Sequence, residues 1–142
     1  RVVIFSAVVG EQVRLLEKVA TAGFSVELIN GTVSGEKRVK IDEAFRRGDL
    51  QVIIASPATA GVGWNWQLME ACVFMSTDYT DDGFTQAVAR GVRGVRETAL
   101  PVFIPQYKKS MEQKVLGIIQ RKSLLAHEVD ARKEVLKGLI CG

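Results

Sequence analysis

Gln86, Arg90 and Arg93 are spaced four and three residues apart, which places them on one face of a helix. Guanidinium groups clustered in this way bind phosphate oxygens in bidentate geometry and stay charged at any working pH. The alternative is an ordinary solvent-exposed face, on which Glu97 pairs with Arg93. No other acidic residue lies within a turn of these arginines, and the predicted helix over 84–92 has no Lys or Glu. The pattern therefore favours an anion-binding helix.

The segment from Ser56 to Trp66 is rich in small and hydroxyl-bearing residues and follows an apolar run. Gly61 and Gly63 allow backbone N–H groups to approach a phosphate closely, and the hydroxyls add donors. A dinucleotide-binding fingerprint is not completed, since Trp66 stands where its third Gly belongs. A phosphate-facing loop and an ordinary tight turn both fit this pattern. Trp64 and Trp66 belong either to the core or to a stacking platform.

Two acidic groups offer competing chemistry. Asp42 and Glu43 imitate the acidic box of a nucleotide hydrolase, but they lie inside a predicted helix beside Arg46 rather than after a strand. Ordinary i,i+4 pairing is therefore expected of them. The acidic loop over residues 78–82 follows a predicted strand, so a metal site there stays open.

Composition and charge narrow the classes of protein. The 142 residues are 47% hydrophobic and 25% charged, which is ordinary for a globular domain, and no apolar run approaches a membrane span. Two Cys and one His predict neither a disulfide framework nor a zinc site, so we expect a reducing compartment and a core position for Cys72. Residues 83–142 carry eleven basic and five acidic side chains, which weakly favours a polyanionic partner. No Gly-x-x-x-x-Gly-Lys-Ser/Thr motif occurs, which excludes an ATPase working by itself.

Short apolar runs alternate with segments of helical periodicity. Strands are predicted over 2–5, 25–29, 51–55, 72–75 and 102–104, and helices over 10–22, 35–47, 84–92 and about 109–139. The apolar face of the first helix is predicted to contain Val13, Leu16 and Ala20, and Ser34 is predicted to cap the second. This alternation predicts a parallel sheet covered on both faces. Ligands of such folds bind at the carboxyl ends of the strands, which selects the loops at 6–7, 30–32, 56–66 and 77–83.

These segments, in their order, resemble the motifs of the C-terminal RecA-like lobe of superfamily 2 helicases, and most closely the Swi/Snf-type double-stranded-DNA translocases. Five pieces in order carry the resemblance, four segments and Asp78. The segments are Val3-Ile4-Phe5-Ser6 (motif IV), Asn30-Gly31-Thr32 (the Gly-x-Thr/Ser segment), Ser56 to Trp66 with Gly61, Val62, Gly63 and Asn65 in register (motif V), and Gln86-Ala87-x-x-Arg90-x-x-Arg93 (motif VI). Asp78 resembles the start of the family's acidic stretch. The resemblance covers about residues 2–130.

The chain departs from the family pattern at three places. Val95-Arg96 stands where the family has Gly-Gln, and Asp81-Asp82-Gly83 stands where it has Trp-Asn-Pro. Trp64 and Trp66 replace typical leucines. These departures predict a divergent branch of viral or mobile-element origin.

The resemblance implies an α/β fold, a RecA-like three-layer sandwich with a parallel sheet, helices on both faces and C-terminal helices. It implies a lobe over residues 1–107 and a helical extension over 108–142 that packs on it. The implied function is the second motor lobe of an ATP-dependent DNA helicase or translocase, an ATP hydrolase acting on nucleic acid, with double-stranded DNA favoured. We expect the chain, which begins at Arg1, to be a piece of a longer protein whose N-terminal RecA-like lobe supplies the phosphate loop and the Mg²⁺ carboxylates.

The resemblance also assigns roles to residues. The catalytic set is Arg90 and Arg93 as arginine fingers, with Gln86. The ATP-binding set is Gly61, Gly63, Asn65 and Gln86. The nucleic-acid-binding set is Ser6, Thr32, Ser56 and Thr59. No metal ligand and no membrane partner are expected. The expected location is the cytoplasm of a prokaryotic or viral host, or the nucleus in a eukaryote.

Two other classes stay open. One is a stand-alone small-ligand or metal/phosphate-binding α/β module that uses the loop at 78–82. The other is a purely structural interaction domain, which predicts no salt-sensitive binding of DNA. A phosphate loop and an acidic box encoded upstream of Arg1 would distinguish the motor lobe from both.

Overall fold

The computed structural model describes residues 1–60, 66, 68–76 and 100–105 of the chain. All of them lie in the first of the two units into which the chain divides, Arg1–Pro105. The elements, in chain order, are β1 (Val2–Phe5), α1 (Val9–Thr21), β2 (Val26–Ile29), α2 (Gly35–Arg47), β3 (Val52–Ala55), α3 (Pro57–Ala60), β4 (Ala71–Phe74) and β5 (Val102–Phe103). The predicted boundary at 107/108 and the helices predicted over 84–92 and 109–139 lie outside the described residues.

The five strands form one parallel sheet in the order β2-β3-β1-β4-β5. β1 is central, and its Phe5 is level with Ala55 of β3 and Phe74 of β4. The chain moves outward from β1 to β2 and returns from β2 to β3. Because such crossovers are right-handed, α1 and α2 lie on opposite faces of the sheet. The predicted α/β sandwich is confirmed.

The core on one face of the sheet is built from alternate strand residues. Val3 and Phe5 are fully buried there, and α2 contributes Ile41 and Phe45 to the same cluster. Phe5 stacks on Phe74 with ring centroids 4.8 Å apart and lies 6.1 Å from the ring of Trp66. Trp66 has no exposed surface, so of the two roles open to it the structure selects the core.

Cys72 of β4 belongs to the same buried cluster, as predicted. Burial raises the pKa of its thiol to about 11, because the apolar surroundings disfavour the thiolate. The thiol therefore stays protonated at physiological pH and packs as a small apolar side chain.

Local signals fix the ends of α2. The side chain of Ser34 accepts a hydrogen bond from the Lys37 backbone N–H, as expected of an N-cap. Gly48 follows the last turn with a φ of 90°, a left-handed conformation that a residue with a side chain adopts reluctantly. Backbone bonds from Gly48 to Phe45 and from Asp49 to Ala44 complete a Schellman motif. The cap at Ser34 is confirmed.

The inward face of α1 differs from the predicted one. Val13 and Ala20 are exposed and Leu16 is half-buried, whereas Gln12 is 1% exposed. The face of α1 that packs on the sheet is therefore rotated toward Gln12. The side-chain amide of Gln12 can reach its hydrogen-bond partners only if it points into the protein interior. A helical periodicity based on apolar residues alone assigns Gln12 to the solvent-exposed face.

Asp42 of α2 is 8% exposed, which is unusual for a carboxylate. It pairs with Arg46 one turn later, at 2.7 Å between Oδ2 and Nη2, so the predicted i,i+4 pairing is confirmed. Burial raises the pKa of Asp42 above its ordinary value, and Arg46 and the Trp66 indole offset this only in part. The ionised carboxylate is therefore a cost to stability at neutral pH.

Asp42→Asn should make the chain at least as stable as wild type at neutral pH. The change loses an i,i+4 ion pair of about 0.5 kcal/mol but removes a desolvated charge. Since the folded-state pKa is raised, the wild type is favoured below the ordinary Asp range and loses stability as the pH rises through the folded-state pKa. Urea unfolding across this range should show a decline for wild type that Asp42→Asn lacks.

The matched control is Glu43→Gln, which removes the neighbouring, exposed carboxylate of the same helix. It should keep the wild-type decline with pH. Equal pH profiles for wild type and Asp42→Asn would show that the buried carboxylate does not have this effect.

Candidate functional site at the carboxyl edge of the sheet

The loops that follow β1, β2, β3 and β4 lie along one edge of the sheet, which we call the carboxyl edge. Backbone hydrogen bonds continue past the strand ends, from Ser6 N–H to the Ala55 carbonyl at 3.0 Å and from Met75 N–H to the Phe5 carbonyl at 2.8 Å. The edge therefore has a fixed backbone frame. It contains all four predicted nucleic-acid-binding residues, Ser6, Thr32, Ser56 and Thr59.

Ser6, directly after β1, has no exposed surface. Its hydroxyl lies 2.5 Å from the Glu11 carboxylate, and the Ser76 hydroxyl donates to the same carboxylate oxygen at 2.7 Å. Ser76 in turn accepts the Ala7 backbone N–H at 3.0 Å. Glu11 thus joins the ends of β1 and β4 through two hydroxyl groups.

Gln12, the next residue of α1, joins the ends of β1 and β2. Its side-chain amide donates to the Ser6 carbonyl at 2.7 Å and accepts from the Asn30 amide at 3.1 Å. Because the Ser6 carbonyl can only accept, the amide of Gln12 has one allowed orientation, and that orientation fixes the amide of Asn30 in turn. Gln12 and Asn30 are both buried, so these bonds are shielded from water.

Thr32 is exposed and sits on the loop that Asn30 orders. The Asn30 side-chain oxygen accepts the Thr32 backbone N–H at 3.0 Å and the Thr32 hydroxyl at 2.7 Å, an Asx turn of the kind that an Asn-Gly pair predicts. Arg38 of α2 donates to the Asn30 and Val33 carbonyls, both at 2.8 Å. The loop is therefore held from both α1 and α2.

Ser56 begins a short helix, α3, where the sequence pattern predicts a loop. Its hydroxyl accepts the Thr59 backbone N–H at 3.2 Å, and the Ser56 and Thr59 hydroxyls are hydrogen-bonded to each other. Pro57 occupies the first helical position, where a missing N–H costs nothing. Thr59 is 7% exposed, so its hydroxyl faces the protein. The Ser-Pro pair at the start of the segment is the sequence signal that could have predicted this helix.

The remaining predicted site residues, Gly61, Gly63, Asn65, Gln86, Arg90 and Arg93, lie outside the described residues, as does the acidic loop at 78–82. The four described ones share a chemical property, since each offers a neutral hydroxyl. Hydroxyl and backbone N–H groups hold phosphates in position without reading base sequence. Within the described ranges, no three His, Cys, Asp or Glu side chains are grouped to hold a metal ion.

Glu11, Gln12 and Ser76 were missed by sequence reasoning. Ser76 lies two residues after β4 and directly after the strand predicted over 72–75, so its position at a strand end was an available signal. Glu11 and Gln12 carry no such signal, because both are polar residues in a helix with ordinary periodicity.

The fold and the order of the motifs define a helicase lobe. The model of the family described as "Helicase conserved C-terminal domain" matches residues 1–95, and the chain belongs to this family. The predicted similarity to the Swi/Snf-type group is also confirmed by the relatives found.

The chain is 26% identical over 131 residues to the Arabidopsis thaliana "Protein CHROMATIN REMODELING 5", covering 91% of this chain and 8% of the relative. It is 29% identical over 93 residues to the Mus musculus "Chromodomain-helicase-DNA-binding protein 1-like", covering 66% of this chain and 10% of the relative. The chain thus spans about a tenth of the curated relatives or less. In structure it is similar to the "C-terminal part of Fun30 ATPase domain", with a TM-score of 0.77 and 19% identity over 84% of this chain and 38% of that one.

Gln12→Leu should destabilise the chain by about 2 to 4 kcal/mol, since it leaves the Ser6 carbonyl and the Asn30 amide buried without partners. Val13→Ala, the matched control at the next position, should change stability by about 0.5 kcal/mol or less because Val13 is exposed. Urea unfolding of both variants measures the difference. The reverse order of effects would mean that the apolar stripe through Val13, rather than Gln12, faces the sheet.

Proposed function

We propose that this chain is the second motor lobe of an ATP-dependent DNA translocase or helicase. The family match over residues 1–95 carries the proposal. A carboxyl edge of hydroxyl groups on a fixed backbone frame supports it, since a motor lobe must hold a polyanion without reading its sequence. The loop at 78–82, on which the stand-alone metal-binding module depends, lies outside the described residues.

The nucleic-acid contacts are proposed to come from Ser6, Thr32, Ser56 and Thr59. Of these, Thr32 is the most accessible, and its loop is fixed by Asn30 and Arg38. DNA is the proposed partner because the relatives are named as chromatin-remodelling and DNA-binding proteins. Double-stranded DNA is favoured on the resemblance to the Swi/Snf-type translocases. Binding is expected to be weak and independent of sequence.

The ATP contacts are proposed for Gly61, Gly63, Asn65 and Gln86, with Arg90 and Arg93 as arginine fingers. The phosphate loop and the Mg²⁺ carboxylates are assigned to an N-terminal RecA-like lobe of the same polypeptide. The chain by itself is therefore proposed to be inactive as an ATPase. Mg²⁺ would neutralise charge on the phosphates, and the arginines would meet the charge that develops during transfer.

The proposed location is the nucleus for a eukaryotic source and the cytoplasm for a prokaryotic or viral one. In the described part of the chain, no helix is long and apolar enough to cross a bilayer. A viral or mobile-element origin stays a prediction, and three of the relatives found are from a plant, a mouse and a fish.

The isolated chain should bind a labelled DNA duplex with micromolar or weaker affinity at physiological salt. Because the contacts are to phosphates, the affinity should fall with salt at a log–log slope near −0.9 per neutralised phosphate. Fluorescence anisotropy over a salt series on two unrelated sequences measures both properties. A flat salt response, or a strong preference for one sequence, would contradict the proposed mode of binding.

In the longer protein, Arg93→Ala should reduce ATP turnover by about three to five orders of magnitude while nucleotide affinity changes much less. Arg93→Lys should restore little, because a point charge on a flexible stem does not reproduce the planar guanidinium. Steady-state hydrolysis and nucleotide binding measure the two effects separately.

Arg96→Ala is the internal control, since Arg96 stands where the family has Gln. It should affect turnover far less than Arg93→Ala. Equal losses, or no loss in either variant, would show that the arginine-finger assignment is wrong.

A further inference from the structure

The hydroxyl protons of Ser6 and Ser76, at the carboxyl edge, are donated to an acceptor within the protein. A phosphate oxygen can only accept hydrogen bonds, so a Ser or Thr contacts it by giving its single proton. The Ser6 proton is directed at Glu11 over 2.5 Å and the Ser76 proton at the same oxygen over 2.7 Å. While these bonds persist, neither serine can donate to a nucleic acid.

Ser6 presents the sharper conflict, because it is fully buried. A residue with no exposed surface cannot touch a DNA backbone, so the proposed contact requires a rearrangement around its hydroxyl. Glu11 is only partly buried and lies in the first turn of α1. It is the side chain whose movement would release both serine protons.

We infer that Glu11 sets the nucleic-acid affinity of this lobe by competing, as an internal anion, with a backbone phosphate for the Ser6 and Ser76 hydroxyls. The inference rests on the proposed function, since it assumes that phosphates approach this edge. Carboxylate and phosphate are alike as acceptors, because both take charge-assisted bonds from hydroxyl groups. Ser76 thereby becomes a further nucleic-acid contact of the lobe, available when Glu11 is displaced.

Two effects of Glu11 act in the same direction. Its carboxylate occupies the donors, and its negative charge repels an approaching phosphate. The second effect belongs to any acidic residue near the edge, whereas the first belongs to Glu11 alone. Glu11→Gln separates them, since it removes the charge and keeps an acceptor for the hydroxyls. Glu17, which is exposed and bears the same charge on the same helix, controls for the charge of the helix as a whole.

Glu11→Ala should bind a labelled DNA duplex at low salt about tenfold more tightly than wild type, which corresponds to about one freed charge-assisted hydrogen bond. Glu17→Ala should tighten binding by less than about twofold. Melting of each variant, followed by circular dichroism, checks that the fold is kept. Glu11→Gln, which removes the charge and keeps an acceptor, should tighten binding less than Glu11→Ala does. If Glu11→Ala alone fails to fold, Glu11→Leu replaces it, since it offers the two hydroxyls no acceptor.

A double-mutant cycle tests directly whether the Ser76 hydroxyl donates its proton to Glu11 rather than to a phosphate. Ser76→Ala should leave the affinity of the wild type within about twofold, because the proton points at Glu11. In the Glu11→Ala background the same change should weaken binding several-fold, because the hydroxyl then serves the phosphate. A purely structural role for Glu11 predicts equal effects of Ser76→Ala in the two backgrounds.

The results separate the inference from the function on which it rests. Wild-type binding with equal affinities for Glu11→Ala and Glu17→Ala, or additive effects in the cycle, overturns the role of Glu11 alone. An absence of DNA binding in wild type and every folded variant overturns the proposed nucleic-acid surface and the role of Glu11 with it. Tighter binding by Glu11→Ala together with non-additivity at Ser76 supports both.

Discussion

The two hydrogen bonds of the Gln12 amide are the interaction on which the carboxyl edge depends. One bond holds the Ser6 carbonyl at the end of β1, and the other holds Asn30 at the end of β2. Since a carbonyl can only accept, the orientation of one amide fixes the next, and the Asn30 oxygen is left to order Thr32. The buried Gln12 side chain therefore determines which group donates and which accepts in each hydrogen bond from Ser6 to Thr32. Removal of this side chain would leave the Ser6 carbonyl and the Asn30 amide buried without these hydrogen bonds.

Glu11 and Gln12, in the first turn of α1, contact the ends of different strands. As consecutive helical residues they point in directions about 100° apart, so one reaches Ser76 after β4 while the other reaches Asn30 after β2. β1 is central in the sheet, and Glu11 and Gln12 both also contact Ser6, the residue that follows it. The start of one helix thus connects strands on both sides of β1. For the proposed motor lobe, which would hold several phosphates at once, such a connection keeps the strand ends in fixed positions relative to one another.

Two carboxylates of this domain each have an unfavourable effect, one on stability and the other on the proposed binding of nucleic acid. Asp42 is ionised in a buried position at some cost, offset in part by Arg46 and the Trp66 indole. Glu11 is satisfied by two hydroxyl groups, but it places a negative charge on the edge that is proposed to meet a polyanion. The first charge affects the free energy of unfolding, and the second affects the free energy of binding. Each can be removed by a near-isosteric amide, so the two effects can be measured separately.

The sequence by itself determined the alternation of strands and helices, the cap at Ser34, the buried position of Cys72 and the edge where site residues would gather. These features depend on periodicity and on neighbouring residues, which the chain order displays directly. Only the tertiary structure decided that Gln12 rather than Val13 faces the sheet, and that Glu11 meets Ser76 from 65 residues away. A hydrogen bond between distant residues leaves no periodic trace in a sequence, and a buried polar residue looks there like an exposed one. Both features, the long-range hydrogen bond and the buried polar residue, can be recognised only in the folded chain, where the strands lie side by side.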